Sequence, residues 1–137
     1  MSMKVTFPGG VAVNAEYRGQ IIHTDQPREH GGGGTAPTPF DLFLASLGTC
    51  AGFYALRFCQ ERSLPTEGLG LELSTELNPE TRKIDTIHLA IQLPAGFPDR
   101  YRAAIERVID QCAVKRHIVE APRFELTVQE PACVSHP

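Results

Sequence analysis

Four cysteines, at positions 50, 59, 112 and 133, carry the chemistry this sequence offers. No CxxC is present, the spacing is uneven, and Met1-Ser2-Met3-Lys4-Val5 has no basic stretch leading into an apolar run. The cysteines therefore read as thiols of a cytoplasmic protein, structural or reactive, and not as a disulfide scaffold. Cys50 lies within Leu47-Gly48-Thr49-Cys50-Ala51-Gly52, where each glycine costs about 1 kcal/mol against alanine in a helix interior. Either another element packs closely on these small residues and Cys50 is a buried small hydrophobe, or they open space beside a thiol for a substrate. Cys59 follows nine residues later, which places it on the opposite side of a helix from Cys50. Cys112 falls on an apolar stripe and is followed by Lys115-Arg116-His117. A helix C-terminus there disfavours a thiolate while the basic residues favour it, and the same triplet also reads as a dipole cap. Cys133 belongs to a tail.

Other chemistries find less support. His23, His30, His88, His117 and His136 show no HxxxH spacing, so no metal is expected. Gly31-Gly32-Gly33-Gly34 resembles a phosphate loop in composition alone, because no Gly-Lys-Ser/Thr follows it. Ser46 is flanked by Ala45 and Leu47, not by the glycines of a nucleophile elbow.

The elements that must position these residues are legible in the periodicity. Val5-Thr6-Phe7 and Val11 to Ala15 alternate around Gly9-Gly10, which predicts a hairpin, and Gln20 to His23 predicts a third strand. A flexible loop then runs from Asp25 through the four glycines to Pro37. Thr38-Pro39 with Asp41 in the first turn predicts a helix start. That helix runs to about Arg62, stopped by Ser63-Leu64-Pro65, and carries large apolar residues on almost every face. At about 1.5 Å per residue it is about 35 Å long, more than one small domain easily wraps, so a homodimer is expected. A second hairpin is predicted from Leu69, Leu71 and Leu73 paired with Ile87, Leu89, Ile91 and Leu93 around Asn78-Pro79-Glu80. An amphipathic helix from Tyr101 to Cys112 follows, then a last strand, Phe124 to Val128, and a frayed tail from Pro131 to Pro137.

The 137 residues suit a single domain. Thirteen Lys and Arg against sixteen Asp and Glu give a net charge of −3, and no run of basic residues supports nucleic-acid or polybasic membrane binding. The longest apolar stretch, Leu42 to Leu56, is interrupted by small and polar residues and reads as a buried helix too short to span a bilayer.

The segments Pro39-Phe40-Asp41-Leu42-Phe43-Leu44-Ala45-Ser46-Leu47-Gly48-Thr49-Cys50 and Cys112-Ala113-Val114-Lys115-Arg116-His117 resemble the two signature segments of the OsmC/Ohr family, the osmotically induced and organic hydroperoxide resistance proteins. The similarity runs from about Lys4 to Glu130. It implies one OsmC-like α+β domain over 1–137, forming an intertwined homodimer with antiparallel sheets around a long central helix and active sites at the dimer interface. It further implies a thiol-dependent peroxidase of the stress-response type without a bound cofactor. Cys50 would attack the peroxide, Cys112 would resolve the sulfenic acid as a disulfide, and an external dithiol, possibly of lipoyl type, would reduce it.

Two departures from the family pattern bear on activity. Catalytic members carry a Glu straight after the helix-opening Pro, where this sequence has Phe40, and an N-terminal Arg whose place Phe7-Pro8-Gly9-Gly10 occupies here. By chemistry, Arg18 and Arg28 are the substitute cations, and Asp41 and Glu29 the substitute acids. With Phe40 removing the acid, the expectation is a Cys50 that stays mostly protonated near pH 7, weak hydroperoxide turnover and a pocket favouring apolar ligands. The alternatives are a thiol protein with another small apolar substrate or a sensing role, and a non-catalytic dimeric binding protein.

Overall fold

A computed structural model describes residues 1–131. Lys4–Gly9 (β1), Ala12–Tyr17 (β2) and Gln20–Thr24 (β3) form an antiparallel sheet in that order. The turn between β2 and β3 is Arg18-Gly19, both at positive φ, the pattern of a two-residue hairpin whose twist matches its strands. Register places Val5 opposite Ala15 and Ala15 opposite Ile22, so one face is apolar. The other carries Lys4 opposite Glu16 and Asn14 hydrogen-bonded to His23 at 3.1 Å. Val5 and Ile22 nevertheless remain exposed, and among the described residues this sheet has no extensive packing against any helix.

The loop after β3 is not the loose segment expected from its glycines. Asp25 is buried, and its carboxylate accepts hydrogen bonds from the Gln26, Gly33 and Thr35 amides and the Thr35 hydroxyl at 2.8–3.1 Å. Gly32 passes so close to the Gln26 carbonyl that a Cβ would sit 1.8 Å from its oxygen. Glycine is required there by close approach. These bonds hold the Asp25 carboxyl down at about 2, chiefly through the Thr35 and Gln26 amides.

Helix α1, Pro39–Glu61, begins as the sequence predicts. Thr38 and Asp41 form a reciprocal capping box, the Asp41 amide donating to Thr38 Oγ1 at 3.1 Å and the Thr38 amide to Asp41 Oδ2 at 2.9 Å. Burial around α1 is narrower than expected: Leu47, Ala51, Ala55, Phe58 and Cys59 form one buried stripe, while Phe40, Phe53 and Leu56 stay exposed. Its length and mean hydropathy of 1.4 over 18 residues would also suffice to cross a membrane, which corrects the reading of a stretch too short to do so. In this fold α1 is the core helix instead, since its stripe packs with Phe97, Ile105 and Ile109.

Strands β4, Gly70–Leu77, and β5, Ile84–Gln92, form a second antiparallel sheet with Leu71 opposite Ile91 and Leu73 opposite Leu89. Asn78 Oδ1 accepts the Glu80 and Thr81 amides at 2.9 Å and shapes the turn. The predicted Tyr101–Cys112 helix is observed within two residues of its expected ends, and a further helix that the periodicity did not predict follows it. Helix α2, Arg102–Asp110, ends where the Gln111 and Cys112 amides bond back three residues, to Val108 and Ile109. Cys112 leaves the helix at ψ 123°, and α3, Ala113–Val119, starts in a new direction. The basic triplet therefore lies within α3 and does not cap the end of α2.

The last predicted strand is absent from the described residues. Residues 121–131 have no ladder partner, and Phe124, Leu126 and Val128 are 90, 95 and 89% exposed. An alternating apolar segment needs an edge to pair with, and within one chain it finds none. Cys133 and all of the expected frayed tail except Pro131 lie outside the described residues.

Candidate active site

The break between α2 and α3 brings the two cysteines of interest together. Cys112, fully buried at the N-cap of α3, faces Cys50 on the middle of α1, and both are free thiols. Burial pushes the Cys50 thiol up. Hydrogen bonds from the Cys112 thiol and from the Val114 and Ala113 amides outweigh it and leave Cys50 below the ordinary cysteine value. Cys112 moves the other way: burial and its bond to Cys50 raise it, against the opposing Lys115 and Val114 amides. The pair is thus polarised, with Cys50 the readier thiolate and Cys112 the proton-bearing donor. The direction of this shift runs against the low-thiolate Cys50 expected from Phe40, and besides the Cys112 thiol it comes from two backbone amides at the elbow that no side-chain pattern announces.

Cys59 is separated from this pair as the helical spacing predicts. It is fully buried in the core, its thiol pushed up by burial against an opposing effect of the Arg62 charge. Arg62 itself lies over the Phe58 ring, 3.7 Å from its centroid.

The four candidate charged residues do not converge on Cys50. Arg18 sits on the β2–β3 turn with its guanidinium 5.0 Å from the Tyr17 ring centroid. Arg28 and Glu29 lie exposed on a single turn of 3-10 helix, Arg28–His30. Asp41 is committed to the helix cap, where the Thr38 amide and hydroxyl lower its carboxyl. None of these charges contributes to the Cys50 shift. Phe40 is exposed and stacks on Phe43 with ring centroids 5.4 Å apart. Both rings line an open apolar groove of about 1130 Å³ that runs along β4–β5 to Ile109, Lys115 and Ile118. Cys50 does not line it.

A shallower depression lies over Ala45, Gly48, Thr49 and Gly52, walled by Leu71 and Leu73. A Cβ on Gly48 would meet only Leu73 at 3.9 Å, and one on Gly52 would meet nothing. Within one chain, neither glycine is required by packing. Among the described residues no group of three or more His, Cys, Asp or Glu is placed to hold a metal ion.

Two features escaped sequence reasoning. Helix α3 is one, since its start at Ala113 has no Pro or Gly to mark it. Asp25 had a usable signal, a carboxylate directly ahead of a glycine-rich loop whose amides need acceptors.

Several solved structures share this fold. A crystal structure assigned as an osmotic-stress-induced and detoxification-response protein, from Psychrobacter arcticus 273-4, superposes with a TM-score of 0.70 at 23% identity, covering 85% of this chain and 86% of its own. An OsmC organic hydroperoxide resistance protein of Legionella pneumophila gives 0.55 at 22% identity, covering 86% and 89%. An organic hydroperoxide resistance protein of Vibrio cholerae O1, with captopril bound in one of its active sites, gives 0.54 at 18%, covering 86% and 84%. No curated protein sequence matches. The family model for OsmC-like proteins matches residues 31–127, a span that takes in the glycine loop, both cysteine segments and the unpaired Phe124–Leu126 stretch, and the chain therefore belongs to the OsmC-like family.

Proposed function

We propose that this protein is a thiol-dependent peroxidase that reduces organic hydroperoxides through Cys50 and Cys112. The observation that carries the reading is the polarised pair itself: a lowered Cys50 thiol held by the Cys112 thiol and two amides. The Cys50 thiolate attacks the outer peroxide oxygen, the O–O bond breaks, and the leaving alkoxide takes a proton to depart as the alcohol. Cys50 is left as a sulfenic acid. The Cys112 sulfur then attacks Cys50, forming the disulfide and releasing water. An external dithiol restores both thiols by exchange. The hydroperoxide-resistance relatives, one with a small organic molecule in an active site, support this substrate class.

The experiment is turnover of cumene hydroperoxide with a dithiol reductant. Sustained turnover, abolished by Cys50→Ser, is the expected result. Stoichiometric sulfenic acid without turnover would favour a sensing role or a different substrate. That second reading is favoured by one observation: Arg18, Arg28, Glu29 and Asp41 leave Cys50 without a charged partner to polarise a peroxide.

The same proposal makes the working unit a homodimer. The exposed rings of α1, the apolar face of the β1–β3 sheet and the unpaired Phe124–Val128 segment all lack cover in one chain. The Phe40 groove, above the range of about 300–1,000 Å³ usual for small-ligand pockets, suits an element of a second copy better than a small substrate.

A further inference from the structure

The elbow between α2 and α3 sets every hydrogen bond to the two sulfurs, so whatever fixes the elbow fixes the site. Asp110 is the last residue of α2 and Lys115 the third of α3, and their side chains form an ion pair across it. In a continuous helix, residues five apart point about 140° away from each other. This pair closes because the helix ends at Gln111-Cys112, where the Cys112 amide turns back to Ile109 at 3.0 Å and the Cys112 carbonyl takes the Arg116 amide at 3.0 Å. Both partners are accessible in one chain, Lys115 42% and Asp110 68% exposed, and both line the Phe40 groove, so the variants are compared at the same sedimentation-defined oligomeric state as the wild type. Neither packs in the core, and neither charge acts directly on the Cys50 thiol. The Ala113 and Val114 amides that bond Cys50 and the Val114 and Lys115 amides that bond Cys112 all lie between the two charges or at one end of the bridge.

We infer that the Asp110–Lys115 ion pair is a brace that holds the elbow closed on the dithiol, so that these two residues are positioning residues for Cys50. This rests on reading Cys50 as the nucleophile. Mechanically, losing the brace lets α3 swing, and the Ala113 and Val114 amides spend less time on the sulfur. The other charged or titratable groups of α2 and α3, namely Arg102, Glu106, Arg107, Arg116 and His117, stay constant in the comparison, as does the bond between the His117 ring and the Ala113 carbonyl.

The test is the pH profile of Cys50 alkylation by iodoacetamide, read by peptide mapping of the full chain, for Lys115→Gln, Asp110→Asn and the swapped pair Asp110→Lys/Lys115→Asp. A brace predicts that both single variants raise the midpoint and slow alkylation at pH 7 by about threefold, within the roughly fivefold ceiling of an exposed ion pair. The swapped pair should recover most of the loss, and 1 M NaCl should slow the wild type but not the single variants. Simple through-space charge predicts the opposite: removing the cation raises the midpoint and removing the anion lowers it. Opposite shifts, or no shift in either variant, overturn the inference. Alkylation needs no peroxide, so a wild type without turnover whose variants still shift together would sink the peroxidase reading and leave the brace standing.

Discussion

At the scale of single residues, the proposed peroxidase activity rests on an asymmetry between two thiols of the same kind. Cys50 gains donors and Cys112 gives one. Replacing Cys112 with Ser therefore has two separable effects. In the proposed mechanism resolution is lost, so one equivalent of cumene hydroperoxide should leave Cys50 as a sulfenic acid that dimedone traps with the corresponding mass increase. A serine hydroxyl is a fair but differently placed donor, so Cys112→Ala should raise the Cys50 pKa towards the free-cysteine value of about 8.5, and further than Cys112→Ser does. Thiolate absorbance in a background lacking Cys59 and Cys133 measures this. Asp25 makes an acid-side prediction. Its folded value, about 2, lies below its ordinary 3.8, so its contribution is complete above about pH 4 and is lost as pH falls towards 2. Limited proteolysis should find the 25–37 loop protected at pH 5 and increasingly cut by pepsin as pH approaches 2. Asp25→Asn should be cut readily at both.

Among the elements, α1 carries the strongest mismatch between sequence and single-chain packing. Gly48 and Gly52 weaken a helix interior by about 1 kcal/mol each against alanine, and nothing in one chain comes close enough to require them. A second copy approaching the depression they leave would. Gly52→Leu should consequently leave the fold of one chain intact, because its side chain meets open space, while dissociating the dimer. Far-UV circular dichroism should be unchanged and sedimentation should move to the monomer. Retention of the dimer with an unchanged melting temperature would mean that another surface makes the contact. The other element-scale lesson is α3: seven residues long, it matters less as a helix than as the end of a turn that aims its amides.

For the whole molecule, the described residues form one helical core on β4–β5 and a second sheet, β1–β3, that this core scarcely touches. Apolar residues on α1, on that sheet and on the 121–131 stretch are left without cover. Hydrophobic surface on this scale drives association. Sedimentation at micromolar concentration should give about twice the chain mass of 15.0 kDa, and a soluble folded monomer would remove the basis for the dimer. Introducing a charge within the stretch, as Leu126→Glu, should weaken the assembly by at least tenfold in dissociation constant if that segment pairs with a second copy.

Local rules determined much of this protein. The hairpins, the Thr38–Asp41 cap, the Asn78 turn, the separation of Cys59 from Cys50 and the two family segments were all legible, because each depends on residues within a few positions of one another. Phe40, Arg18 and Arg28 could be singled out as departures, though not placed. Tertiary structure alone decided the rest. It added a third helix directly after the second, set Cys112 at the elbow between them as a partner for Cys50, and supplied two of the Cys50 donors from backbone amides, which every residue but proline carries and no sequence pattern marks. It also turned a run of glycines into a held loop through one buried carboxylate eight residues before Gly33. Periodicity identified which faces are apolar, whereas which of them one chain can cover is a property of the packed molecule.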